Sequence, residues 1–109
     1  MIESAEVLAR VYAEILARRD ADPDVSHTAS LFAKGEMAIA RKMGEEAMET
    51  VNAAAKGEKN AIVYESADLL YHLLVLWAAH GIAPGDVFAE LVRREGTSGI
   101  AEKAARTSS

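Results

Sequence analysis

The chain has 109 residues, which is one domain's length, and half of them are hydrophobic, enough for a core. It has no cysteine, so disulfides and thiolate metal sites are excluded, and with only 2 prolines it favours helix over an all-β fold. A formal net charge of -5 argues against a nucleic-acid partner, and MIESAEV shows no basic stretch leading into an apolar run, so no secretory leader is expected and the protein reads as cytoplasmic.

The first predicted helix runs from about Ser4 to Arg19. Val7, Leu8, Val11, Tyr12, Ile15 and Leu16 recur at helical spacing, Ser4 is a suitable N-cap, and Arg18 and Arg19 suit the negative end of the dipole. Asp20 to Asp24, with Pro23, breaks the pattern. Ser26 or Thr28 then caps a short helical piece holding Leu31 and Phe32. The second long helix is predicted from Glu36 to Lys56, with Met37, Ala40, Gly44, Ala47, Met48, Val51 and Ala55 along its apolar face and Gly57 as its stop. The third runs from Asn60 to His80 and ends at Gly81. The fourth starts at Pro84 and continues through Val87, Phe88, Leu91 and Val92 to about Arg94. An all-α domain over residues 1–95 is expected, followed by a small, polar, flexible tail over residues 96–109.

The third helix carries the strongest signal. From Ala61 to Ala79 it reads AIVYESADLLYHLLVLWAA, apolar on nearly every side. Such a helix should be buried. The residues in it that ionise near or below neutral pH, Glu65, Asp68 and His72, fall within roughly 60° of one another around the axis. Buried carboxylates are costly unless they are paired, hydrogen-bonded or metal-bound. Asp68 and His72 also break the run that would otherwise suggest a membrane span, so no membrane partner is expected.

Two spacings match across the helices, Glu46-x-x-Glu49 and Glu65-x-x-Asp68. The short connection Gly57 to Lys59 makes the helices antiparallel neighbours. Glu46 and Asp68, like Glu49 and Glu65, are equidistant from residue 57 in that turn, so the four carboxylates share one level of the hairpin. They would repel one another unless a cation holds them. Oxygen ligands select a hard cation, Mg²⁺ first, with Mn²⁺ as the alternative. Taken alone, Glu45, Glu46 and Glu49 with Lys42 and Lys56 would form a solvated face opposite the apolar one. Lys34, Arg41, Lys42 and Lys59 lie in or near the hairpin and are suited to phosphate oxygens. His72, one turn beyond Asp68, suits either a substrate contact or a satisfied core position.

The strings KMGEEAMETVNAA (Lys42 to Ala54) and YESADLLYHLLVL (Tyr64 to Leu76) resemble the phosphoribosyl-ATP pyrophosphatases, a branch of the all-α nucleotide pyrophosphohydrolases. SHTASLFAKG (Ser26 to Gly35) and REGTSGIAEKAAR (Arg94 to Arg106) extend the resemblance over most of the chain. One departure is His27, where that family often has Tyr. The resemblance implies Mg²⁺-dependent hydrolysis of phosphoribosyl-ATP to phosphoribosyl-AMP and pyrophosphate, the second step of histidine biosynthesis. It implies metal ligation by Glu46, Glu49, Glu65 and Asp68, and a catalytic role for Glu45, Glu46 or Glu49 in accepting the proton of water. Lys34, Lys42, Lys59 and His72 are the matching candidates for substrate binding. It also implies a homodimer, in which two hairpins form a four-helix-bundle core flanked by the N- and C-terminal helices. A separate cyclohydrolase is expected to act next. The alternatives are a house-cleaning (d)NTP pyrophosphatase, with the same carboxylates, and a non-enzymatic helical metal-binding or scaffold dimer.

Overall fold

The computed structural model describes residues 5–97, 99–100 and 103–104. Among these, five helices have defined bounds and no strand occurs: α1 (Glu6–Arg18), α2 (His27–Lys34), α3 (Glu36–Lys56), α4 (Lys59–Ala79) and α5 (Pro84–Arg94). The all-α expectation holds, and α3 has the bounds read from sequence. Ser4, expected to cap α1, lies outside the described residues, as does much of the expected tail. Within that tail Gly99, Ile100, Lys103 and Ala104 are helical.

The joints follow from local chemistry. In the loop after α1, the Asp22 Oδ1 accepts the Asp24 backbone N–H at 2.9 Å, a side-chain-closed turn. Ser26, rather than Thr28, caps α2, its Oγ accepting the Ala29 N–H at 3.1 Å. Gly35 (φ 94°) is the single residue between α2 and α3, a conformation that a side chain would strain. Gly57 (φ 70°) closes α3 in the left-handed region, and the connection to α4 is only Gly57 and Glu58. After α4, the Gly81 N–H bonds the Ala78 carbonyl and the Ile82 N–H bonds the Trp77 carbonyl, the paired bonds of a Schellman ending. Tyr12 Oη then donates to the Ile82 carbonyl at 2.6 Å, pinning that loop to α1.

The antiparallel α3–α4 hairpin is the most extensive contact in the fold. α1 lies on α4, α2 on α3, and α5 reaches α1. The core gathers Ile15 of α1, Leu31 of α2, Ile39 of α3, and Leu74, Val75 and Ala78 of α4. Burying a Leu or Val of this kind stabilises the fold by about 1.5–3 kcal/mol relative to leaving it exposed. All of these residues sit at the end of the hairpin remote from the turn. Nearer the turn, Val63 is 69% and Tyr64 67% exposed, and Met48, Val51 and Leu70 are also exposed.

This corrects the sequence reading of α3. Met37, Met48 and Val51 do not face inward; Ile39, Glu46 and Ala53 are its buried residues. These recur at a spacing of seven, two helical turns, which is the repeat of a seam between antiparallel helices. Glu46 therefore belongs to the seam and not to a solvated face. α4 is also long and apolar enough, by length and composition, to cross a membrane, but it packs along α3 and α1 and carries Glu65 and Asp68 at mid-length.

Candidate active site

The register of the hairpin delivers the carboxylates. Glu46 of α3 is 9% exposed, and Glu65 and Asp68 of α4 are half-buried opposite it. One carboxylate oxygen from each of the three lies within 4.8 Å of the others. A hydroxyl strengthens the junction: Thr50 Oγ1 lies 2.9 Å from the Glu46 carbonyl and 3.3 Å from the Glu65 carbonyl. It is a polar clamp between the two helices at the level of the acids. Lys42, one turn before Glu46, places its Nζ 3.5 Å from Glu46 Oε1.

The electrostatics show the strain of gathering like charges. The Glu65 carboxyl is held above its ordinary value, first by desolvation and then by the negative charges of Glu49, Asp68 and Glu46. Glu49 is exposed and lies outside the close trio, but it is near enough to raise Glu65. Glu45 is exposed on the position of α3 just before Glu46 and does not join the trio. An all-oxygen donor set of three acids from facing helices fits a hard divalent cation such as Mg²⁺, whose charge would relieve that repulsion.

Of the basic candidates, Lys42 is the cation within ion-pair distance of the trio among the described residues. Lys34 is exposed in the last turn of α2. Lys59 is exposed at the start of α4, six residues and about 9 Å of helix axis before Glu65. His72 is 5% exposed, and its Nδ1 lies 2.7 Å from the Asp68 carbonyl. A carbonyl only accepts, so Nδ1 carries a proton and donates it to the Asp68 carbonyl. Nε2 has no hydrogen-bond partner among the described residues. The ring stands edge-on to those of Tyr71 and His27, with centroids 5.3 and 6.0 Å away.

Sequence reasoning missed Thr50 and the hydroxyl pair Thr28–Tyr71, which hydrogen-bonds α2 to α4. Thr50 was open to discovery, since it follows Glu46 by one helical turn and adjoins Glu49, the residue that mirrors Glu65 about residue 57. The Thr28–Tyr71 pair joins residues 43 positions apart and leaves no periodic trace.

An all-α hairpin presenting Glu-x-x-Glu opposite Glu-x-x-Asp defines the class of all-α nucleotide pyrophosphohydrolases. Residues 8–95 match the family model described as phosphoribosyl-ATP pyrophosphohydrolase. A relative from Azospirillum brasilense named phosphoribosyl-ATP pyrophosphatase is 59% identical over 105 residues, covering 96% of this chain and 95% of its own. Relatives of the same name from Paramagnetospirillum magneticum and Rhizorhabdus wittichii are 55% identical over 106 residues and 61% over 92; they cover 97% and 84% of this chain, and 97% and 87% of their own lengths. The chain belongs to the phosphoribosyl-ATP pyrophosphohydrolase family, and it is an enzyme.

Proposed function

We propose that the chain hydrolyses phosphoribosyl-ATP to phosphoribosyl-AMP and pyrophosphate, as the second step of histidine biosynthesis, with Mg²⁺ held by Glu46, Glu65 and Asp68 and completed by Glu49. The observation that carries this reading is the trio of carboxylate oxygens within 4.8 Å, drawn from facing helices of a chain in this family. When bound, the cation supplies a counter-charge for the phosphoryl oxygens and for the departing pyrophosphate. Everything else falls to the chain's own groups. Thr50 holds the helices in register. Glu45, exposed beside the trio and outside the metal set, accepts the proton of the attacking water. The water oxygen bonds to one phosphorus of the α–β anhydride, the bridging P–O bond breaks, and pyrophosphate leaves. Lys42, already at the rim on Glu46, offers its ammonium to the phosphates, with Lys34 and Lys59 as more distant cations.

The same reading includes a homodimer. Val63, Tyr64, Leu70, Met48 and Val51 are exposed on the two hairpin helices, more apolar surface than one hairpin can cover. A second hairpin laid against this face would bury it as a four-helix bundle. The enzyme would act in the cytoplasm, with a separate phosphoribosyl-AMP cyclohydrolase next in sequence.

The test is pyrophosphate release from phosphoribosyl-ATP with and without Mg²⁺, beside ATP and a panel of dNTPs. Mg²⁺-dependent release from phosphoribosyl-ATP alone is expected. Release from a dNTP alone would refute the substrate while keeping the metal site. Sedimentation of wild type and Val63→Glu tests the dimer, which the substitution should shift toward monomer.

A further inference from the structure

A cavity of about 530 Å³ opens between the α1–α2 connection and α4. Arg18, Ser26, His27, Thr28 and Tyr71 supply its polar wall, and no carboxylate lines it. In a chain of net charge -5 that is a local reversal of sign. Arg18 makes no ion pair among the described residues, although Asp20, Asp22 and Asp24 follow it in the loop. Asp22 is turned instead toward the Asp24 N–H. Ser26 Oγ accepts from Ala29, which leaves its own proton free to donate.

Three further observations make this a built cavity. The Thr28–Tyr71 hydrogen bond ties α2 to α4 across its floor. Tyr71 follows Asp68 by three residues, about 4.5 Å along the axis and about 60° around it, so the cavity lies beside the carboxylates on α4. Behind it stands His72, nine-tenths buried, in ring contact with both His27 and Tyr71, its Nε2 without a hydrogen-bond partner among the described residues.

We infer that this cavity is a phosphomonoester subsite. Resting on the proposed activity, it takes the 5-phosphate of the second ribose while the triphosphate lies at Glu46, Glu65 and Asp68. A guanidinium grips a phosphate through two parallel hydrogen bonds, and Ser26 and His27 add donors. ATP has no second phosphate, so the subsite is what separates phosphoribosyl-ATP from ATP.

The experiment has two arms. In the first, ribose 5-phosphate is titrated into metal-free wild type and read by NMR at the Arg18 and His27 side chains, without turnover. Saturable shifts at both are expected, and their absence overturns the subsite even if the enzyme is active. In the second, Arg18→Ala and His27→Asn are assayed with phosphoribosyl-ATP. KM should rise by about 10- to 100-fold for Arg18→Ala, from the loss of charge-assisted hydrogen bonds, with kcat and melting temperature unchanged. Arg18→Lys should recover part of the loss. An unchanged KM in both variants, with wild type active, refutes the subsite. If wild type releases no pyrophosphate from phosphoribosyl-ATP, the proposed activity fails, and the first arm alone decides whether the cavity binds a sugar phosphate.

Discussion

Asp68→Asn should make the metal-free protein more stable and the metal-bound protein inactive. The Asp68 oxygen lies within 4.8 Å of those of Glu46 and Glu65. Two unit charges at that separation repel by about 0.9 kcal/mol with bulk-water screening and by about 3.5 kcal/mol at the effective dielectric near a protein surface. Asp68 is half-buried and Lys42 already offsets part of the Glu46 charge, which favours the lower part of the range, about 1–2 kcal/mol. For a domain of this size that is a rise of about 5–10 °C in melting temperature. The substitution keeps the backbone carbonyl on which His72 rests, so it isolates the charge. Wild type should gain about 2.7 kcal/mol from Mg²⁺ at a hundred times its dissociation constant, and the variant far less at the same concentration. Thermal unfolding by circular dichroism, in chelator and then in Mg²⁺, reads both signs. A variant no more stable than wild type in chelator, yet stabilised equally by Mg²⁺, would refute the account of the trio as a cation site.

Other outcomes follow from the same structure. Thr50→Val should cost about 1 kcal/mol in chemical denaturation and weaken Mn²⁺ binding measured by electron paramagnetic resonance, while Thr50→Ser should retain both. The Glu65 carboxyl should titrate above the ordinary 4.5 in metal-free protein, as read by carbon NMR, and fall when Mg²⁺ is added. Because its folded pKa is raised, ionisation of Glu65 works against the fold, and that penalty is relieved as pH falls through the raised value toward 4.5. Glu90 has the opposite sign: hydrogen bonds from Arg93 and Arg94 hold its carboxyl at about 2. Its stabilising contribution is present above 4.5 and lost as pH falls from there toward 2, and its NMR midpoint should climb back in high salt.

The hairpin was legible because both of its determinants are local. Gly57 and the break beside it stop α3, and equal spacing from that turn sets Glu46 beside Asp68. The inward face of α3 was misread because its seam row contains a charged member. A hydrophobicity count prefers Met37, Met48 and Val51, whereas the actual row Ile39–Glu46–Ala53 places an acid between two apolar residues. Glu46 tolerates that position because acids of α4 and Lys42 meet it there, a tertiary fact that no single-helix pattern reveals. The cavity beneath His27 was invisible for a related reason. Arg18, His27 and Tyr71 come from separate elements, and only the packing of α1 and α2 against the hairpin brings them together.

The two-residue joint at Gly57 and Glu58 also constrains how such a chain can diverge. Surface connections usually absorb insertions with little penalty. Here one added residue would turn α4 by about 100° and slide it by about 1.5 Å relative to α3. Tyr64 and Ala67 would then stand where Glu65 and Asp68 now meet Glu46. Adding a whole turn would restore the facing but displace the acids by about 5 Å along the axis. Drift in this lineage is therefore expected to proceed by substitution along α3 and α4 and to spare the length of the link between them, so that length polymorphism at residues 57–58 marks loss of activity more reliably than most changes of side chain.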